Sequence, residues 1–363
     1  MLRKLDYYII KKYLGTFFYA ILLITMISIV INFSERVEKL LAPDLSLYDI
    51  IFVYYLNFIP WINGLLWPLF ALLSVIFFTS KMAKNAEIIA ILSSGVSYYR
   101  ILRPYLIAGC LLAMMLWIGN NYIIPKSTKI KNDFESEYFN NSKTKSIGYN
   151  THFFLSPTEK VFLRHYRTKD TVGSTFRYEK FDANQELTYL LKANRITLEE
   201  EPNLWKLHDY EKRSFKGLNE SYINGKGETL DTILSLEPSD FVRNTKVMEN
   251  MSTSDLLEFI EIEQGRGLDT AQAMKIEVHR RSADPITIII LTLMGASIAS
   301  RKVRGGLGFH LASGIILGAA FVLVSRFSMT IANNLSINPA LGMWLPNILF
   351  AILTLVLIAR AQK

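Results

Sequence analysis

The chain has 363 residues, 50% hydrophobic and 12% aromatic, with 40 Lys+Arg against 32 Asp+Glu. Its charges are segregated: residues 126–284 hold 24 basic and 26 acidic side chains, a net of −2, and the other 204 residues hold 16 basic and 6 acidic, a net of +10. Such a chain is not one ordinary soluble globular domain but an apolar, membrane-class part joined to a water-soluble one. The lone Cys110 excludes an intrachain disulfide framework, and its apolar neighbours predict a buried, inert thiol.

In chain order, Asp, Glu, Lys and Arg are missing from 13–34, 50–80, 104–125, 285–300, 305–325 and 327–359. A helix needs about 20 apolar residues to cross hydrocarbon. The 285–300 run is short, but flanking basic side chains can reach the interface and lend it a turn. The last run opens with Asn333, Asn334, Ser336 and Asn338, which puts its span at about 341–359. Six transmembrane helices follow, three on each side of a polar insert. Thirteen basic residues (Arg3, Lys4, Lys11, Lys12, Lys81, Lys84, Arg100, Arg103, Arg301, Lys302, Arg304, Arg360, Lys363) fall on one side of that layout. Arg36, Lys39 and Arg326 fall on the other. Basic residues in short loops mark the cytoplasmic face, so both termini are expected inside and 126–284 outside. The first segment lacks a small-residue cleavage pattern and is expected to start helix 1 rather than be removed.

Between the second and third spans, Lys84 to Gly95 reads as a short helix. Glu87 stands in an early turn, Ile88, Ile91 and Leu92 form an apolar stripe, and Gly95 stops it. Such a helix either packs on its own bundle or docks into a groove on a partner. In the insert, Val161–Tyr166, Phe176–Glu179, Leu187–Ala193 and Leu204–Asp209 read as strands of a small antiparallel sandwich or an open curved sheet. Asn224-Gly225 is expected to turn a hairpin, since both residues tolerate positive φ. Trp205, Phe162 and Tyr189 read as core, with a lipid-contacting lining as the alternative. His152, His165 and His208 lack the spacing of a zinc site, and no nucleophile elbow, HExxH or P-loop occurs. Ser252 or Ser254 can cap a helix through Leu256, Leu257, Phe259 and Ile260, broken at Gly265 and Gly267. A second linker helix runs from about Thr270 past Arg280 and Arg281, which read as interface anchors or gate residues. Pro285 is expected where the fourth span enters the membrane.

Taken together, these segments resemble the lipopolysaccharide export permease family, LptF/LptG. The resemblance covers nearly the whole chain and is sharpest at Glu87-Ile-Ile-Ala-Ile-Leu-Ser-Ser-Gly95, which looks like the family's coupling helix. Leu5-Asp6-Tyr7-Tyr8-Ile9, Asn338-Pro339 and Leu345-Pro346 look more like the G than the F subunit. The resemblance implies an α-helical membrane protein of six transmembrane helices with a periplasmic β-jellyroll inserted between helices 3 and 4. It divides the chain into 1–125 with a coupling helix at about 84–95, a jellyroll at 126–249, linker helices at 250–284 and the last three spans at 285–363.

The same resemblance implies a non-catalytic subunit that binds no cofactor itself, ATP and magnesium being held by a partner ATPase. Its partners would be an LptF-like permease subunit, two copies of an LptB-like ATPase, an LptC-like single-span protein, an LptA-like periplasmic bridge and lipopolysaccharide. No nucleic acid is implied. A phosphorylated, many-chained lipid wants an apolar cavity rimmed by cations. Arg36, Lys39 and Arg326 are the expected phosphate contacts, with Glu35 and Glu38 interleaved at the gate and Asn32 where relatives often carry Lys. An ordinary solvated loop is the plainer reading of Arg36 and Lys39, and snorkelling that of Arg326. Glu87, Ile88, Ile91, Leu92 and Gly95 are the expected ATPase-coupling residues. An ABC permease for proteins or lipoproteins, or a membrane enzyme or scaffold, are the competing classes; His310 alone lies within an uncharged run, where interface packing is the plainer account.

Overall fold

The computed structural model describes the chain except residues 1–3, 42–44, 140–147, 157, 168–169, 201–202, 218, 237, 239–246, 266–269, 302, 304, 335–336 and 362–363. The expected cations Arg3, Lys302, Arg304 and Lys363 and the predicted helix break at Gly267 lie outside the described residues. Two compact units emerge: Met1–Phe139, Glu249–Ser254 and Gln272–Lys363 form one, and Asn140–Met248 with Asp255–Ala271 form the other.

The first unit is helical. α1 (Lys4–Leu40) is followed by a π-helical turn, Asp49–Tyr55, that runs into α2 (Leu56–Lys84). The short α3 (Glu87–Ser93) precedes α4 (Tyr98–Ile118), which continues through a π-helical turn (Gly119–Ile123) into α5 (Ile124–Phe134). Among the described residues, six segments are long and apolar enough to cross a membrane: Lys4–Leu40, Asp49–Lys84, Tyr98–Phe139, Ala271–Ala299, Gly306–Asn334 and Pro339–Ala361. At about 1.5 Å per residue, α1 is ~55 Å long and overshoots a ~30 Å hydrocarbon layer. Buried aromatic and aliphatic side chains of α1, α2 and α4, among them Tyr13, Phe17, Leu72, Ile76 and Tyr105, form its main core. Tyr13 Oη donates to the Ala71 carbonyl at 3.2 Å and shares a 2.8 Å hydrogen bond with Thr292 Oγ1, so its polar end is satisfied inside the bundle.

Cys110 departs from expectation: it is exposed, on the surface of α4. An apolar neighbourhood in the sequence of a span does not separate the packed face from the face turned to lipid, since both are apolar.

The second unit carries one antiparallel sheet of six strands in sequential order: β1 (Gly148–Ser156), β2 (Glu159–Arg167), β3 (Val172–Phe181), β4 (Leu187–Glu200), β5 (Leu204–Lys216) and β6 (Asn219–Ile233). All four predicted strands fall inside β2 to β5. Alternate residues on one face build the core: Val161 and Leu163 lie with Phe176, Leu191, Ile196 and Leu207 around the fully buried Trp205. The Trp205 indole donates to the Leu236 carbonyl at 3.0 Å.

The expected Asn224-Gly225 hairpin is not a turn. Both residues lie within β6, Asn224 opposite Glu211 and Gly225 opposite Tyr210. A Cβ at Gly225 would run into the Tyr210 ring, so this glycine gives room to a cross-strand aromatic. The chain turns instead between Lys216 and Asn219, where Gly217 takes φ +58°. A bulge between His208 and Tyr210, with Asp209 at φ 52°, shifts the register of the β5–β6 pair.

Four further helices follow: α6 (Val247–Asn250), α7 (Thr253–Gly265), α8 (Thr270–Ala299) and α9 (Gly306–Asn334); α10 (Pro339–Ala361) ends the fold. The second linker helix and the fourth span are a single helix, α8, with Pro285 inside it rather than at its start. Asn338 caps α10, its Oδ1 accepting from Ala340 N at 2.9 Å, and Pro339 sits first in the helix, where its missing N–H forfeits nothing.

Candidate functional site

Three polar clusters punctuate the apolar unit. The first surrounds the α3 loop. Ala86, at φ 60°, breaks the helix between Lys84 and Glu87, so α3 begins at Glu87, and Gly95 at φ +85° ends it. Glu87 accepts from Tyr8 Oη at 3.2 Å and Asn85 Nδ2 at 3.3 Å. Nearby, Arg100 and Asp6 form a two-pronged ion pair of 2.7 and 2.6 Å, with Asp6 2% exposed. The apolar stripe divides in two. Ile88, 2% exposed, belongs to the bundle's own core and Ile91 packs against it, which removes both from the outward face. Ile89 and Leu92 are the exposed apolar side chains. The reason is periodicity: seven residues make two turns, and the face carrying Ile88 is the one turned to the core.

The second cluster joins the far end of α1 to the end of the third span. Glu135 is its hub: its Oε1 lies 3.0 Å from Arg36 and 3.2 Å from Lys131, and accepts from Tyr54 Oη at 3.2 Å. Arg36 also stacks over Phe139 at 4.8 Å, and Lys39 donates to the Phe139 carbonyl at 2.8 Å. Asn32 accepts from Tyr54 at 3.1 Å. The two predicted rim cations are therefore adjacent and already engaged, whereas Glu35 and Glu38 are exposed.

The third cluster is on α8. Glu277 accepts from Arg280 Nε and Nη2, both at 2.8 Å, and from Arg281 Nε at 2.9 Å. This i, i+3, i+4 arrangement places all three groups on one helix face. Arg280 Nη1 lies 3.4 Å from Asp284, and Arg281 Nη1 donates at 3.0 Å to Thr253, which donates at 2.6 Å to Asn121. Arg281 is 3% exposed, so the interface-anchor reading gives way to a buried network tying α8 to Thr253 and the third span. Arg280, Arg281 and Arg326 all line one cavity of about 420 Å³, whereas Arg36 and Lys39 do not. Among the described residues no group of three or more His, Cys, Asp or Glu is placed to hold a metal ion. His310 Nε2 donates to the Arg301 carbonyl at 3.0 Å, a packing role.

Reading the sequence missed Glu135, Asp6 and Glu277. Asp6 and Glu277 left a signal: Asp6 is a carboxylate opening an apolar helix, and Glu277 stands three and four residues before two arginines. Glu135 left only its i,i+4 spacing from Lys131, because Arg36 and Tyr54 lie 99 and 81 residues away.

A model of the family described as lipopolysaccharide export system permease LptF/LptG matches residues 7–360. The chain belongs to that family. Among curated proteins it is 22% identical, over the full length of both chains, to the lipopolysaccharide export system permease protein LptG of Haemophilus influenzae. As a family member it is a multi-pass membrane permease for lipopolysaccharide export, with six apolar helices and a separate antiparallel sheet in mid-chain. Membership implies a transport subunit rather than an enzyme, and partners within the export system in general.

Proposed function

We propose that this chain is the LptG-like subunit of an ABC transporter that extracts lipopolysaccharide from the periplasmic leaflet of the inner membrane. Both termini and α3 lie in the cytoplasm and the sheet lies in the periplasm, where it serves as the jellyroll-type module that hands lipid to a β-jellyroll bridge. A second, LptF-like permease subunit faces it, two copies of an LptB-like ATPase bind below with ATP and magnesium, and an LptC-like span and an LptA-like bridge complete the path. The observation that carries this reading is the family match across 7–360. α3 supports it: a short helix between two spans with an acidic group at its start and Ile89 and Leu92 outward suits a groove on an ATPase. Arg36, Lys39 and Arg326 supply the cations for substrate phosphates; in this reading Arg36 and Lys39 exchange Glu135 and the Phe139 carbonyl for phosphate oxygens when lipid arrives.

Glu87→Lys places a cation where the ATPase is expected to offer one. The ATPase should then fall away during purification and lipid export should drop, while Glu87→Gln does less. Unchanged ATPase retention and export in Glu87→Lys refutes the coupling assignment. Single cysteines at Ser94 and Ser221, in a Cys110→Ser background, test the topology: an impermeant reagent outside sealed cells should label 221 alone.

A further inference from the structure

The cavity lined by Arg326 lies within one chain, open on one side and lined by α2, the π-helical turn Gly119–Ile123, α5, α6, α8, α9 and α10. Its volume of about 420 Å³ falls in the range of roughly 300–1,000 Å³ usual for small-molecule sites. One flank is apolar, with Trp61, Leu66, Ile124, Phe321 and Pro346. Gly318 keeps α9 tight against α2, since a Cβ there would come within 2.7 Å of Leu69. The space therefore takes a single chain and not a many-chained lipid. The other flank is charged, and Glu277, Arg280, Arg281 and Asp284 compensate one another there.

Three groups remain. Asn120, 8% exposed, lines the cavity, and its Nδ2 has no hydrogen-bond partner. Buried amide donors are nearly always paired, and π-turns such as the one carrying Asn120 recur at functional sites. Arg326 and Glu249 also line the cavity, both exposed and of opposite charge, and among the described residues neither closes an ion pair.

These leftovers select a ligand. A purely apolar guest leaves the Asn120 donor unpaired. A bare phosphate leaves Glu249 without a cation, and a bare amine leaves Arg326 without an anion. A phosphoester bearing an ammonium satisfies all three, its phosphate oxygens accepting from Asn120 and Arg326 and its ammonium donating to Glu249.

We propose that this intrasubunit cavity binds the zwitterionic phosphoester head of a lipid together with one of its acyl chains. The proposal rests on reading Arg326 as a head-group cation and extends that reading; it does not involve Arg36 or Lys39. Two lipids carry this chemistry, a bilayer glycerophospholipid and the exported glycolipid when its phosphate bears ethanolamine.

The test uses the purified transporter complex in detergent, incubated with each lipid and read by native mass spectrometry. The probes are phosphatidylethanolamine, phosphatidylglycerol, and lipid A with and without ethanolamine on its phosphate. The wild type should retain one ethanolamine-bearing lipid at least tenfold above phosphatidylglycerol. Asn120→Leu and Arg326→Ala should each lower retention about tenfold. Asn120→Asp, nearly isosteric, should do the same without repacking. Glu249→Gln should abolish the preference over phosphatidylglycerol, and the exchange Arg326→Glu with Glu249→Arg should recover part of it. Retention of phosphatidylethanolamine in preference to either lipid A assigns the site to bilayer lipid, and displacement by ethanolamine-bearing lipid A assigns it to the exported one. Equal retention of phosphatidylglycerol or of unsubstituted lipid A, or retention unaffected by Asn120→Asp, overturns the proposal. Export lost in Arg36→Glu with lipid retention intact concerns the transport reading alone, so the two failures are distinguishable.

Discussion

Glu277 sits between two guanidiniums inside the helical unit, and its removal is the sharpest available test of what the α8 network contributes. Glu277→Ala strands Arg280 and Arg281 at once. Deleting one partner of a buried ion pair costs roughly 3–5 kcal/mol, because the remaining charge is left uncompensated. Asp284, 3.4 Å from Arg280, moderates the loss on that side. Arg281, 3% exposed, keeps the neutral hydroxyl of Thr253 at 3.0 Å, which cannot replace a carboxylate. The total therefore falls near the middle of that range, about 4 kcal/mol, equivalent to a lowering of apparent Tm on the order of 5–10 °C for a chain of this size. Purified complex melted with a tryptophan-fluorescence readout gives the number. The decisive comparison is Glu277→Ala with Arg281→Leu: removing both charges leaves nothing stranded on that side, so the double variant should melt above the single one. A single variant within 1 °C of wild type, taking about 1 °C as measurement error, refutes the reasoning. So does a double variant that melts lower by the sum of the two separate losses.

Leu163→Ala removes a side chain that is 1% exposed in the sheet core and should destabilise that unit by about 2–5 kcal/mol, seen as faster limited proteolysis of the β-strand region in the intact chain. Gly95→Ala forces a Cβ into φ +85° and should cost about 1 kcal/mol, raising amide exchange across α3 roughly fivefold while the exchange of α1 stays unchanged. In β5, the hydrogen bond from Arg213, followed by the charge of Lys192, holds the Glu211 carboxyl below the usual carboxylate range. Because its folded value is the lower one, its stabilising contribution is complete above the usual range and is lost as pH falls through the folded value. Glu211→Gln should therefore weaken the sheet at neutral pH and leave it indistinguishable from wild type once acid has protonated the carboxyl, as measured by hydrogen exchange of β4 and β5 at both pH values.

Much of the molecule was legible in one dimension. Charge-free runs marked the six spans because hydrocarbon excludes ionised groups regardless of what packs where. Gly95 marked the end of α3 because only glycine takes that backbone conformation at little cost. The i, i+3, i+4 spacing of Glu277, Arg280 and Arg281 was present in the sequence, although its role as a buried knot rather than an interface anchor was not. Asn224-Gly225 misled: the dipeptide tolerates a turn but does not require one, and the Tyr210 ring opposite Gly225 gave the glycine another use. The stripe at Ile88, Ile91 and Leu92 was read as one face, yet the bundle takes Ile88 and Ile91 and leaves Leu92 beside Ile89.

By itself, then, the sequence determined the segments: which stretches suit hydrocarbon and which local signals start and stop helices. Those properties depend on transfer free energies and on backbone conformations, and each belongs to a residue and its near neighbours. Only the tertiary structure decided the pairings. Glu135 meets Arg36 across 99 residues and Arg100 meets Asp6 across 94. Asn120, Arg326 and Glu249 come to one cavity from three separate elements. A hydrogen bond or ion pair requires atoms within about 3 Å, and proximity between distant segments is a property of the packed bundle that no local pattern of residues encodes.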